Sequence, residues 1–149
     1  MNIANILARK GSMAVTVRPE QSIREALALL DHHNIGALIA VEGGLPVGIL
    51  SERDIVREAA HNEGFLMRTV GDLMTRDVIT GQPHDDLPSV AHTMTERRIR
   101  HLPVVDSGGR LVGMVSIGDV VKAQRDLYQG EVETMQLELT EEHGRPSRA

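Results

Sequence analysis

The sequence predicts an α/β fold of the α+β kind, built from two β-α-β-β-α units that pack through their sheets. Three observations predict it. The chain is written twice, at an offset of 64 residues in its first part and 65 after one extra residue in a turn. Each copy alternates short β-rich pieces with helical patterns. And a unit of about 50 residues buries too little surface to stand alone, so two must cover each other.

The repeat is an ordered series. Thr16 and Pro19 recur as Thr80 and Pro83. Ile23, Ala26, Leu27 and Leu30 recur as Leu87, Val90, Ala91 and Met94. Ile35, Leu38 and Val41 recur as Ile99, Leu102 and Val105. Past the turn Ser107-Gly108-Gly109, Gly48, Ser51, Asp54 and Val56 recur as Gly113, Ser116, Asp119 and Val121.

The elements follow in order. Ile3, Ile6 and Leu7 predict one or two helical turns in an extension over 1–12. Repeat 1 covers 13–61 and repeat 2 covers 76–126. Each opens on a short strand, Val15-Thr16-Val17 or Val78-Ile79-Thr80, and turns at proline. A helix follows, with apolar residues at i, i+3, i+4 and i+7. Ser22 with Glu25 predicts a capping box at the first; Asp86 caps the second. Strands at 35–41 and 102–105 come next, then glycine turns, then strands at 47–50 and 112–115. Pro103 is expected to open its strand, where a missing N–H is tolerated. Helices then start at Ser51 and Ser116. The linker, 62–75, contains a short helix capped by Thr69. Residues 127–149 form a C-terminal helix and a flexible tail. The helical pattern from Gln124 to Leu139 is interrupted at Gly130, and 141–149 reads as disordered.

Composition excludes several classes. The 149 residues are 41% hydrophobic and carry a formal charge of −5. That is no basic footprint for nucleic acid. Phe65 and Tyr128 are the only aromatic residues, so stacking platforms for single strands are missing too. There is no cysteine, which removes disulfides and thiolate metal sites and suits a reducing compartment. The seven histidines form no metal-binding spacing. No apolar run approaches the ~18 residues of a membrane span, and the charges Arg9 and Lys10 follow the first apolar residues rather than precede them. The expectation is a cytoplasmic soluble protein without a metal.

The segments Gly48-Ile49-Leu50-Ser51-Glu52-Arg53-Asp54 and Gly113-Met114-Val115-Ser116-Ile117-Gly118-Asp119 share the pattern G-h-h-S-x-x-D, where h is apolar. With Arg100-His101-Leu102-Pro103-Val104-Val105, and Asp72-Leu73-Met74-Thr75 ahead of the second copy, the chain resembles a cystathionine-β-synthase-type (CBS) domain pair, or Bateman module. The resemblance covers about residues 12 to 126. It implies two repeats packed through their sheets, with clefts between them for adenosyl ligands: AMP first, then ATP, ADP, NAD or S-adenosylmethionine. It also implies a flat homodimer. With no catalytic domain beside the pair, the chain looks like a stand-alone member.

Each candidate residue has two readings. Ser51 and Ser116 stand at helix starts, where free N–H groups and the dipole suit phosphate. In the family the hydroxyl helps hold phosphate, and Asp54 and Asp119 would accept from ribose hydroxyls. A carboxylate can take both. Yet Ser-x-x-Asp also caps a helix with no ligand at all. Gly48 and Gly113 would let a ligand approach, or simply kink a strand end. The resemblance places Thr16 and Thr80 facing the clefts; threonine is also an ordinary strand residue. Ile35, Gly36 and Ala37 would offer backbone groups to adenine. The base would lie between Ile35, Ile49, Ile99 and Met114, which also suit a core. Arg100 and His101, before Leu102 and Pro103, would reach phosphate. Arg98, Arg53 and Lys10 are weaker phosphate candidates that also read as surface charge. Gly36 and Ala37 stand where the other copy has Arg100 and His101, so the clefts are chemically unequal. Asp119 is therefore expected to matter more than Asp54 for binding a monophosphate.

The expected function is a ligand-sensing module without catalytic residues, read by a regulated partner not named by the sequence. The alternatives are an interaction protein with vestigial clefts, using the C-terminal helix, or a nucleotide-processing enzyme.

Overall fold

The computed structural model describes residues 1–11 and 14–144, with side chains described as far as 140. Helix α1, Ile3–Lys10, comes first, capped by Asn2. Repeat 1 contains β1 (Thr16–Val17), α2 (Ile23–His33), β2 (Ala37–Glu42), β3 (Leu45–Ser51) and α3 (Glu52–Ala59). A 3-10 turn, Phe65–Met67, and α4, Val70–Leu73, occupy the linker. Repeat 2 contains α5 (Leu87–Arg97), β4 (His101–Val105), β5 (Leu111–Ser116) and α6 (Ile117–Gly144). The predicted α/β class and the two-sheet plan are both present.

The repeats match in fine detail. β2 and β3 pair antiparallel with a register shift at Ala40/Val41; β4 and β5 do the same at Val104/Val105. α2 ends at Asn34 and α5 at Arg98, both left-handed, at φ 52° and 54°. Asparagine tolerates that conformation, and at both ends the cap N–H bonds back to the helix, to the Leu30 and Asp31 carbonyls at Asn34 and to those of Met94 and Thr95 at Arg98.

The first strand breaks the symmetry. β1 pairs parallel to β2, and the Ile39 N–H donates to the Val15 carbonyl. Pro103 stands where Ile39 stands and has no N–H. It lies mid-strand in β4, not at its opening as expected. The counterpart of β1 therefore shrinks to a single bridge between Gly81 and Val104, and Val78-Ile79-Thr80 is not a strand.

Each repeat has its own aliphatic core, and each is completed by a segment from elsewhere in the chain. α1 precedes repeat 1 but puts Ile3, Ile6 and Leu7 into the core of repeat 2, with Leu87, Met94 and Leu102. α4 precedes repeat 2 but puts Val70 into the core of repeat 1, with Ile23, Leu38 and Leu50. The backbone bonds are paired in the same way. Ile3 N–H donates to Asp85 and Ala4 N–H to Pro83; Val70 N–H donates to Gln21 and Gly71 N–H to Pro19. Ile3 and Val70 are thus equivalent, 67 positions apart. Gly81 has no side chain because Ile3 Cδ1 and Leu102 Cδ2 fill that space, at 3.0 and 2.8 Å from where a Cβ would stand.

The sheet faces turned away from the two cores are covered at their centres. Ile39 and Pro103, at equivalent places on the sheet faces turned away from Leu38 and Leu102, are both buried. The hairpin turns meet as well, where Leu111 N–H donates to the Gly44 carbonyl at 3.1 Å.

Three smaller expectations change. Ser22 accepts from Glu25 N–H, but Glu25 takes a bond from the Gln21 amide instead of closing a capping box. α6 runs unbroken for 28 residues through Gly130, whose missing Cβ faces open space. At 1.5 Å per residue it is about 42 Å long. The stretch read as disordered from 141 is helical to 144, and 145–149 lies outside the described residues.

Candidate functional site

A cleft of about 570 Å³ lies between the repeats. Repeat 1 contributes Gly36, Ile49 and the start of α3, from Ser51 to Arg57. Repeat 2 contributes Ile99, Arg100 and His101. The connector contributes Thr75, Asp77, Val78 and Ile79.

Local physics positions each part. Ile49 exchanges both backbone bonds with Thr75, at 3.0 and 2.9 Å, so the connector runs along β3 and into the cleft. Freed from strand pairing by Pro103, Val78 and Ile79 supply an aliphatic wall opposite Ile49. Gly48 does not serve ligand approach. The thioether of Met74 occupies the space a Cβ would need.

Ser51 caps α3. Its hydroxyl accepts from Asp54 N–H at 3.3 Å, and Asp54 Oδ2 accepts from Ser51 N–H at 2.9 Å and from the hydroxyl at 3.0 Å. The capping reading therefore holds. It engages Oδ2 only, so it leaves room for a second role. Among the described residues Asp54 makes no ion pair. Arg53, Arg57 and Arg100 bring positive charge to the same cleft, with Glu52, Asp54 and Asp77 as acids.

His101 lies between the two helix starts. Burial holds its imidazole below the ordinary value, helped by Lys10 and Arg100 and opposed by Asp119 and Glu52. Its strand partner is Ser116, as Ala37 partners Ser51.

The second helix start is differently finished. Ser116 and Asp119 exchange the same cap bonds, at 2.8 and 3.1 Å. Here Lys10 Nζ also donates to Asp119 Oδ2 at 2.7 Å and to the Met114 carbonyl at 2.9 Å. Burial raises the Asp119 pKa, but the Lys10 hydrogen bond, the Ser116 N–H and the Lys10 charge outweigh it and hold the carboxyl below its usual range. A cavity reaching Asp119 holds about 140 Å³.

The structure thus brings together Gly36, Ser51, Arg53, Asp54, Arg100 and His101. Arg100 and His101 stay beside the second helix start, where His101 pairs with Ser116 and the Arg100 carbonyl accepts from Ile117 N–H, and they also line the cleft of Asp54 across the repeat boundary. Ala37 and Leu102 are fully buried, and Pro103 is buried in β4. Ile35 packs against the first core. Thr16 and Thr80 are exposed and lie off the cleft lining. Met114, Ser116 and Asp119 belong to the second helix start. Thr75, Asp77, Val78 and Ile79 were missed. The motif ending at Thr75 was their one signal.

Among the described residues no group of acidic and histidine side chains could hold a metal, and no helix is long and apolar enough to cross a membrane.

The fold and its paired helix starts define a two-repeat module, and comparison names the family. The CBS domain model matches residues 12–61 and 70–126, and the chain belongs to the CBS domain family. It is similar to the CBS-domain containing protein ATU1752 of Agrobacterium tumefaciens, at 40% identity and a TM-score of 0.78, over 83% of this chain and 99% of that one. The CBS domain pair of protein MJ0100, solved with 5'-methylthioadenosine and S-adenosyl-L-methionine, is 32% identical, with a TM-score of 0.75 over 88% and 98%. The CBS domain protein PAE2072 of Pyrobaculum aerophilum, solved with AMP, is 28% identical, with a TM-score of 0.72 over 80% and 89%.

Proposed function

We propose that the chain is a regulatory module that binds an adenine nucleotide, AMP first, in the cleft of Asp54, and performs no catalysis. One observation carries this reading. A single inter-repeat cleft combines a helix N-terminus, a carboxylate outside any ion pair among the described residues, three arginines and an aliphatic wall. Its volume falls inside the range of about 300–1,000 Å³ common to small-molecule sites. The base fits between Ile49, Ile99, Val78 and Ile79. Asp54 accepts from the ribose hydroxyls, and phosphate meets the start of α3 with Arg53, Arg57 and Arg100. Related CBS structures with AMP and with S-adenosyl-L-methionine support the ligand class.

A ligand so placed touches both repeats and the connector. It favours the arrangement in which they close on it, through a difference in affinity between arrangements. A regulated partner reads that difference. The absence of cysteine suits a cytoplasmic setting.

Thermal melting tests the reading. A ligand at 100 times its dissociation constant adds ~2.7 kcal/mol when it binds only the native state. AMP at that saturation is expected to raise the melting temperature by about 5–11 °C. No shift with AMP, ADP, ATP or NAD contradicts it. A homodimer belongs to the same reading. Val56 and Val121, equivalent positions on α3 and α6, are 67% and 55% exposed and suit cover by a second module. Sedimentation of a monomer at high micromolar concentration contradicts that part.

A further inference from the structure

The two helix starts share Ser-x-x-Asp and the same two backbone cap bonds, yet among the described residues only the first lines a large cleft. The difference comes from outside either motif. Ile3 and Val70 are equivalent, but the chain diverges after them: α1 stays helical to Lys10, whereas α4 ends at Leu73 and the connector pairs along Ile49 at Thr75. In the first cleft the connector brings an acid, Asp77, which cannot pair with Asp54. At the second helix start α1 brings a cation, Lys10, which bonds to Asp119.

The second bond of Lys10 reinforces the difference. Met114 is the counterpart of Ile49, whose carbonyl accepts from the backbone N–H of Thr75. The Met114 carbonyl accepts from Lys10 Nζ instead. One ammonium group thus takes up both the carboxylate that would face a ribose and the strand carbonyl beside it. The pair is partly sheltered, with the Lys10 side chain 34% exposed and that of Asp119 25%. α1 is held in place by Ile3, Ile6 and Leu7 in the second core. The charged end is thus delivered by a packed helix, and its last turn also carries Arg9, 3.9 Å from Asp126.

We propose that Lys10 occupies the second cleft as a built-in plug, so that the chain binds one adenine nucleotide rather than two. This rests on the reading of the clefts as adenine-nucleotide sites. The plug sets stoichiometry from the N-terminal helix, and a ligand can enter the second cleft only by displacing Lys10 from Asp119.

Equilibrium dialysis with AMP counts the sites. The expected result is one AMP per chain for the native protein and two for Lys10→Met. Two per chain in the native protein, or one in a folded Lys10→Met variant, overturns the plug. Lys10→Gln, which keeps polarity and length, is the second variant should Lys10→Met fold poorly. A readout without nucleotide separates the plug from the functional reading. The Asp119 carboxyl, followed by carbon-13 NMR, is expected to titrate at higher pH in Lys10→Met than in the native chain. An unchanged titration overturns the plug. A changed titration with no AMP bound by either protein supports the Lys10 contact and overturns the nucleotide reading instead.

Discussion

The two repeats have the same strand register, the same left-handed helix ends and the same Ser-x-x-Asp caps, but they make different clefts. Repeat 1 opens onto about 570 Å³ lined also by Arg100 and His101 of repeat 2. At repeat 2 the carboxylate is tied to Lys10. The contrast teaches that a duplicated motif fixes the cap and not the site. What differs is supplied by other segments: Asp77 of the connector against Lys10 of α1, and the mid-strand residue, Ile39 or Pro103. Pro103 removes one backbone donor, dissolves a strand, and leaves Val78 and Ile79 to line the first cleft.

The crossed helices give the largest effect with which to break this comparison. Ile3 is fully buried in the core of repeat 2, although it precedes repeat 1. Ile3→Ala is expected to cost about 2–5 kcal/mol, the range for a buried aliphatic cut to alanine. Hydrogen exchange should show the loss of protection in β4 and β5 before β2 and β3. Loss confined to β2 and β3 would mean that α1 packs on its own repeat.

A smaller effect sharpens the comparison at His101, whose counterpart is Ala37. Lys10, Arg100, Asp119 and Glu52 surround it, and burial keeps its folded pKa below that of the unfolded chain. The unfolded state therefore binds more protons in the window between the two values. Stability is fully present above about pH 6.5 and is lost as pH falls through the folded value. Urea midpoints between pH 7.5 and 5.5 should fall more steeply for the native chain than for His101→Asn. Equal slopes would show that His101 is not held neutral by its surroundings.

Much of the fold was legible because it is repetitive and local. Apolar spacing marked α2 and α5, glycine turns marked both hairpins, and Thr69 marked α4. The misread parts are non-local. Val78-Ile79-Thr80 has strand composition, but its pairing depended on a donor that Pro103 lacks. Gly130 was read as a break, yet glycine in an exposed helix costs only about 1 kcal/mol and does not stop one. In the site, Ser51, Arg53 and Asp54 were legible from the motif. Thr75 and Asp77 were not, because their place depends on a backbone pairing with Ile49. Lys10 was read as a weak phosphate candidate, and only the crossed packing of α1 brings it to Asp119.

The central claim is that nucleotide binds at Asp54 and not at Asp119. AMP affinity measured by calorimetry on Asp54→Ala and Asp119→Ala tests it most directly. A charge-assisted hydrogen bond contributes roughly 1.5–3 kcal/mol, so its loss weakens binding about ten-fold to a hundred-fold. The account predicts that loss for Asp54→Ala, and near-native affinity at the first cleft for Asp119→Ala. Native affinity in Asp54→Ala, or a larger loss in Asp119→Ala, would contradict it.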